Sequence, residues 1–188
     1  MIYLLIGGSC CGKTSFVKNT WLKDKEFESH RDILSYVETD EAIILGKYSN
    51  IDGRERSGTD TISRSQVGLI GEQVLRLIGK GKDIVLEGDK ATSRKVFDLL
   101  LSIDEVQLIL IHCDISISLK RNEENNTIVK SSTLKAILTK AKNIYVEYRD
   151  RMNGFEIDTS NFSIEDFKRY SLYNYTEYIR KTNQNKLF

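Results

Sequence analysis

Apolar residues along the chain fall either in short unbroken runs or at intervals of three and four, and the two patterns alternate. Residues 2–6 are uniformly apolar and end in glycine, the pattern of a strand buried on both faces of a parallel sheet. After Lys13 the period lengthens, and Phe16, Val17, Trp21 and Leu22 share one helical face. Residues 33–38 predict a second strand, ending at Thr39-Asp40, whereas residues 46–61 are polar, glycine-bearing and aperiodic, which predicts a loop. Val67, Ile70, Val74 and Leu77 recur at helical spacing through residues 65–79, with Gly79 and Gly81 as stop signals. A third strand is predicted over residues 83–87, a short helix over 95–101 and a fourth strand over 106–113. The segment 115–130 is charged and irregular in period. Leu134, Ile137, Leu138, Ala141, Ile144, Tyr145 and Tyr148 mark an amphipathic helix, and residues 155–157 a short fifth strand. Ser163, with Asp166 three positions on, predicts the N-cap of a last helix carrying Ile164, Phe167, Leu172, Tyr175 and Ile179.

Strands alternating with helices predict an α/β domain, a three-layer α/β/α arrangement around a five-stranded parallel sheet. The 188 residues suit a single domain over 1–188, and a chain of this length buries about 70% of its unfolded surface without needing a staple. A composition 40% apolar and 29% charged is that of a globular protein. The formal charge of +1 excludes neither nucleic acid nor small anions, because steering depends on local patches. No apolar run approaches the ~18 residues of a membrane span, and the first run lacks a basic region before it, which reads as a strand rather than a signal peptide. These features predict a soluble, cytoplasmic protein with no membrane partner. Its three cysteines show no zinc-type spacing, so reduced thiols are expected. His30 and His112 belong to no constellation and read as structural.

The strand-to-helix junction carries Gly7-Gly8-Ser9-Cys10-Cys11-Gly12-Lys13-Thr14, followed by Ser15. This is the GxxxxGK[ST] phosphate loop in its proper context, with a strand before it and a helix after it. Glycines let successive backbone N–H groups turn inward onto phosphate oxygens, and the helix start adds its positive dipole end. Lys13 then reaches the β- and γ-phosphates of ATP, and the Thr14 hydroxyl is placed to ligate Mg²⁺. Cys10 and Cys11 occupy variable positions; small loop residues and redox-active thiols are the two readings of them.

In an open parallel sheet, ligands sit beyond the carboxyl ends of the strands. Asp40 after the second strand is therefore the candidate base for an attacking hydroxyl, and Glu87 after the third is the candidate metal helper. Glu41 and Asp89 are near enough in sequence to exchange these roles. The segment 46–64 is the candidate substrate loop, with Lys47, Tyr48, Arg56, Asp60 and Arg64 as candidate acceptor-binding residues. A tyrosine there can stack on a base, and arginines can pair with phosphate. Arg121 lies in the lid-like segment 115–130, where it would neutralise charge on the transferring group, with Lys120 and Lys130 as alternatives. Arg54, Arg56, Arg64, Lys90, Arg94 and Lys95 form a candidate basic rim for DNA.

Residues 7–14, Thr39-Asp40 and Arg121-Asn122 together resemble the nucleotide-kinase branch of the P-loop NTPases, which includes thymidylate kinase and the deoxynucleoside kinases. Gly46-Lys47-Tyr48, Gly58-Thr59-Asp60-Thr61-Ile62-Ser63 and Val85-Leu86-Glu87-Gly88 are more narrowly similar to the phage 5-hydroxymethyluracil DNA kinases. There a GKY segment precedes a GGTD-type segment, and an EG pair ends the third strand. The resemblance spans about residues 1–150; it departs at Arg56-Ser57-Gly58, where the family has a second glycine, and the helix from Ser163 onward matches no part of it. It implies an ATP- and Mg²⁺-dependent kinase acting on a pyrimidine nucleotide, foremost the hydroxymethyl group of 5-hydroxymethyluracil in DNA. The alternatives are a kinase of a free nucleoside, nucleoside monophosphate or other small metabolite, and a nucleotide-gated regulatory NTPase. The last is disfavoured, because neither Arg121-Asn122 nor Lys142-Asn143 continues into NKxD and the third strand ends in Glu87 rather than an aspartate. A homodimer and a host-cytoplasmic setting for a viral protein stay open.

Overall fold

A computed structural model describes residues 1–51, 54–103, 105–124 and 129–172, the side chains of 49–51 and 54–56 excepted. Strand β1 (Ile2–Gly7) is the middle one of the five parallel strands in a seven-stranded sheet, hydrogen-bonded to β7 (Asp83–Glu87) on one side and β8 (Val106–His112) on the other. Beyond β7 lie β4 (Ala42–Leu45), β3 (Ser35–Glu38) and β2 (Glu28–Arg31), and beyond β8 lies β9 (Phe155–Asp158). The strands β4, β7, β1, β8 and β9 run parallel, whereas β2 and β3 fold back antiparallel at one edge.

Side chains alternate across a strand, so each buried run supplies two cores. Leu4, Ile6, Leu86, Leu108 and Leu110 face the layer of α2 (Ile70–Ile78), α3 (Arg94–Leu101) and α5 (Ser131–Tyr148). Leu5, Val85, Ile109 and Ile111 face Phe16, Val17, Trp21 and Leu22, which belong to α1 (Lys13–Val17) and its continuation as a wide π-helical turn, Lys18–Leu22. Helices on both faces of a mostly parallel sheet make the α/β layering that the sequence pattern predicts. Among the described residues no helix is long and apolar enough to cross a membrane.

Four predicted elements come out differently. The parallel neighbour of β7 is β4, not the 33–38 run, which is β3 and antiparallel. The sheet thus has two strands more than expected, and Thr39-Asp40-Glu41 is the tight turn between β3 and β4. The predicted loop 46–61 contains a hairpin, β5 (Lys47–Ile51) paired with β6 (Arg54–Gly58). The irregular segment 115–130 begins with a helix, α4 (Ile115–Glu124), whose buried face is Ser118 and Asn122. Spaced i,i+4 but polar, those two residues leave no hydrophobic period to read. The helix expected over residues 65–79 starts as a 3₁₀ turn, Arg64–Leu69, before becoming α2. The last helix, α6 (Ile164–Arg169), has the predicted cap, with Ser163 and Asp166 bonded reciprocally. Tyr175 and Ile179 lie outside the described residues.

Gly46 joins β4 to the hairpin at φ +100°, and a Cβ there would fall 1.8 Å from the Gly58 carbonyl oxygen. The substitution Gly46→Ala is expected to cost about 1–3 kcal/mol in backbone strain. Thermal unfolding should register this as a drop of roughly 2–4 °C per kcal/mol; an unchanged midpoint would show that this close approach does not constrain the fold.

Candidate active site

The candidate phosphate loop, residues 7–14, leaves the carboxyl end of β1, the middle parallel strand, and its backbone alternates between right- and left-handed conformations. Cys10 has φ +59° and Gly12 φ +91°, an alternation of the kind that gathers N–H groups into an anion-binding nest. Side chains tie down the loop carbonyls: Lys13 Nζ donates to Gly8 O at 2.7 Å, Ser118 Oγ to Ser9 O at 2.8 Å and Thr159 Oγ1 to Cys11 O at 3.0 Å. Ser9 and Ser15, half-buried, flank this cradle. The Lys13 ammonium, also 3.4 Å from Gly7 O, is folded over the loop it would neutralise. Gly12 is constrained twice, since a Cβ on it would also lie 2.3 Å from the Phe167 ring.

Thr14, one residue into α1, turns its hydroxyl to the end of β7. Its Oγ1 donates to Glu87 Oε1 and lies 2.9 Å from Ser57 Oγ on β6. Glu87 is 2% exposed, and its second oxygen, Oε2, is buried without a hydrogen-bond partner among the described residues, as is the Tyr48 hydroxyl. The β5–β6 hairpin and the 3₁₀ turn after it, Thr59–Thr61, close over this carboxylate. A Cβ on Gly58 would reach within 2.0 Å of Glu87 Oε2. Thr59 Oγ1 donates to Glu87 O at 2.9 Å, and the Asp89 N–H donates to Asp60 Oδ1 at 3.0 Å. Thr61 closes the hairpin, its hydroxyl donating to Gly58 O at 2.8 Å and accepting from Lys47 N–H at 2.9 Å. The segments Gly46-Lys47-Tyr48, Gly58-Thr59-Asp60-Thr61 and Glu87-Gly88, far apart in sequence, thus form one contact.

Burial raises the pKa of Glu87, and the Lys13 charge and Thr14 hydrogen bond pull against it. Burial also raises that of Tyr48, reinforced by the negative charges of Glu87 and Asp60. Lys18, one helical turn beyond Thr14 and the first residue of the π-helical turn, is pushed down by burial against the opposing pull of Glu87.

Of the residues expected at the site, Asp40 is not there. It is exposed in the β3–β4 turn, beside Glu41, whose carbonyl accepts from the Asp83 N–H at the start of β7. Glu87 ends that same strand, about 13 Å away at ~3.3 Å per residue. The assignment of Asp40 as base assumed a parallel strand; β3 runs the other way, so its carboxyl end points away from the loop. Glu41 pairs there with Lys25, and Asp89 with Lys140 at 3.0 Å. Arg121 does lie beside the loop, on α4 rather than on an irregular lid. Its guanidinium donates to Thr159 O at 2.7 Å and Phe162 O at 3.2 Å and stacks over Phe167 at 4.8 Å. Lys120 instead faces Glu124, and Lys130 is exposed at the start of α5.

On the acceptor side, Tyr48 packs beneath the hairpin while Lys47 is exposed. Asp60 is spent on docking the hairpin, and Arg64 is exposed beyond it. The Arg56 side chain lies outside the described residues, as does that of Arg54. Of the candidate basic rim, Lys90 donates to the carbonyls of Asp60 and Ile62, Arg94 is held by Glu147 at 2.7 Å and Lys95 is exposed. Ser57, Ser118, Thr159, Lys18 and Phe167 were not legible as site residues. Ser118 and Thr159 act on loop carbonyls from more than a hundred positions away, which no local pattern announces.

The raised pKa of Glu87 gives a pH prediction with a definite sign. A folded-state value above the unfolded one means stability that is full below about pH 4.5 and lost as pH rises through the raised value. Glu87→Gln should remove that loss and unfold several degrees higher than the parent at pH 8, by thermal denaturation. Equal midpoints at pH 8 would mean that the carboxylate is not paying for its burial.

No protein-family model and no curated protein matches this chain.

Proposed function

We propose that the protein is an ATP- and Mg²⁺-dependent phosphotransferase of the P-loop kinase type, moving the γ-phosphoryl group to a hydroxyl of a pyrimidine nucleotide. The acceptor we propose first is the hydroxymethyl group of 5-hydroxymethyluracil in DNA. The observation that carries the reading is the Thr14–Glu87–Ser57 contact. It joins the phosphate loop to the hairpin and to the strand end, where the segments similar to the 5-hydroxymethyluracil DNA kinases meet. That junction supports a donor phosphate and an acceptor hydroxyl being held side by side, the main requirement of phosphoryl transfer.

The oxygen donors of Thr14, Ser57 and the buried Glu87 carboxylate, whose Oε1 faces Thr14, fit Mg²⁺, which takes one or two carboxylates together with substrate phosphates. Thr14 and Glu87 would hold the ion, which would supply positive charge to the phosphates. Lys13 would exchange the Gly7 and Gly8 carbonyls for phosphate oxygens, and the loop N–H groups would orient the triphosphate. With Asp40 at the far end of the sheet, orienting the acceptor hydroxyl falls to Glu87 Oε2, on the side of Tyr48. Arg121 contributes positive charge from the α4 side of the loop.

Labelled ATP offered with 5-hydroxymethyluracil DNA, ordinary DNA and free nucleosides tests the proposal. Label is expected on the modified DNA; label on free nucleosides or nucleotides alone would sink the DNA acceptor, and no transfer to any acceptor would sink the kinase. Lys13→Ala should abolish transfer, and Glu87→Gln should lower it by at least ~100-fold, the usual scale for loss of an acid–base group. Asp40→Asn should leave transfer within about twofold of the parent, and a large loss in that variant would restore Asp40 to the mechanism.

A further inference from the structure

All three cysteines of the chain meet at the phosphate loop. Cys10 and Cys11 are consecutive within it, and Cys113 follows the end of β8. The Sγ atoms of Cys11 and Cys113 are 3.2 Å apart, and each residue is 1% exposed. Cys10 beside them is half-buried. We propose that Cys11 and Cys113 are an oxidative modification site, closing into a reversible disulfide that pulls the phosphate loop out of phosphate-binding register.

The geometry requires little movement to bring the sulfurs together. A disulfide needs them at about 2.05 Å, so the pair must close by roughly 1 Å, with no rearrangement of the sheet. Cys113 is fixed by β8, whose Leu108, Ile109, Leu110 and Ile111 are 0–1% exposed, so the loop takes up the movement. Cys11 sits in the middle of the nest, its carbonyl bonded to Thr159 and its neighbour Cys10 already left-handed. Displacing it misaligns the N–H groups on either side. The hydrogen bond shared with Cys113 lowers the pKa of Cys11 against the upward pull of burial, with the charges of Lys13 and Arg121 adding to the lowering, whereas for Cys10 burial prevails and raises it. Cys11 is therefore the sulfur that attacks.

The oxidant is a hydroperoxide. The Cys11 thiolate attacks one peroxide oxygen and breaks the O–O bond; the leaving oxygen takes a proton and departs as water (or, from an organic peroxide, as alcohol). The resulting sulfenic acid is attacked by the Cys113 sulfur. The S–S bond forms, and the hydroxyl leaves as water with the Cys113 proton. Two thiols give up two electrons, and an added dithiol returns them.

The consequence for ATP rests on the phosphate-loop reading, whereas the cross-link does not. Full-length reduced protein would be treated with hydrogen peroxide, mapped by non-reducing peptide mass spectrometry and titrated with ATP before oxidation, after oxidation and after re-reduction. The expected result is a Cys11–Cys113 peptide short of two hydrogens and an ATP affinity at least ~10-fold weaker, restored by dithiothreitol. At a fixed dithiol–disulfide poise, Mg²⁺-ATP should lower the fraction of cross-linked protein, because the coupling is reciprocal. Cys113→Ser and Cys113→Ala should lose both effects, and Cys10→Ser should keep them. Cross-links through Cys10, overoxidation of Cys11 without a disulfide, or a disulfide that leaves ATP affinity unchanged would each overturn the proposal. Reduced protein that never binds ATP would instead refute the nucleotide reading, with the cross-link still read by mass and by a raised thermal midpoint.

Discussion

The carboxylate of Glu87 is buried where strand β7, helix α1 and the β5–β6 hairpin converge, and the surroundings of the phosphate loop are arranged around that charge. An isolated carboxylate in such a place carries a desolvation penalty of several kcal/mol. The chain offsets it with a hydroxyl from Thr14 and the charges of Lys13 and Lys18 on one side. On the other side it leaves room: Gly58 can pass over Glu87 only because it has no Cβ. The hairpin, the strand end and the loop are therefore one mechanical unit. Removing the glycine, the threonine or the acid disturbs all three, which is why segments distant in sequence meet at a single point.

Legibility in the sequence followed the physics of each element. The central strands and the glycine-rich turn from β1 into α1 were readable because burial on both faces produces an unbroken apolar run, and a tight turn onto a helix demands glycine at fixed spacing. Strand direction was not. The β3 and β4 runs have the same local character, and nothing in a period of two says whether neighbours are parallel. Asp40 was misplaced for that reason alone, while Glu87, read by the same rule on a strand that is parallel, lies beside Thr14. The hairpin carried a signal that its polarity masked. Asp52-Gly53, outside the described residues, sits between two runs of five, a pairing that favours a two-residue turn. Helix α4 had no signal of this kind, since its buried face is Ser118 and Asn122.

The loop is braced from three directions, and the bracing bears on how charge is delivered to it. From α4, Ser118 holds the Ser9 carbonyl; from the turn after β9, Thr159 holds that of Cys11; from α6, Phe167 lies against Gly12. Helix α6 and the residues after it are themselves fastened to α1 and its π-helical continuation: Asn19 Nδ2 donates to the carbonyls of Phe167 and Tyr170, Tyr170 packs against Phe16, and Leu172 N–H donates to Thr20. A nest held by its carbonyls keeps its N–H groups aimed without a ligand, so little reorganisation is left for the moment of binding.

Arg121 belongs to the same bracing. An arginine on a mobile lid would have to be brought to the loop by closure, with the entropy of ordering a long side chain charged against each encounter. Here the guanidinium is already oriented by two carbonyls and the Phe167 ring, and its charge reaches the loop thiols. Where that charge sits is therefore set by the fold of the β9–α6 turn, and Thr159, which bonds both the guanidinium and the loop, is the residue through which the two are registered. The positive side of the site is preorganised; the negative side, Glu87, is held in place by the hairpin. The chemistry of the site is decided where those two supports face each other across Thr14.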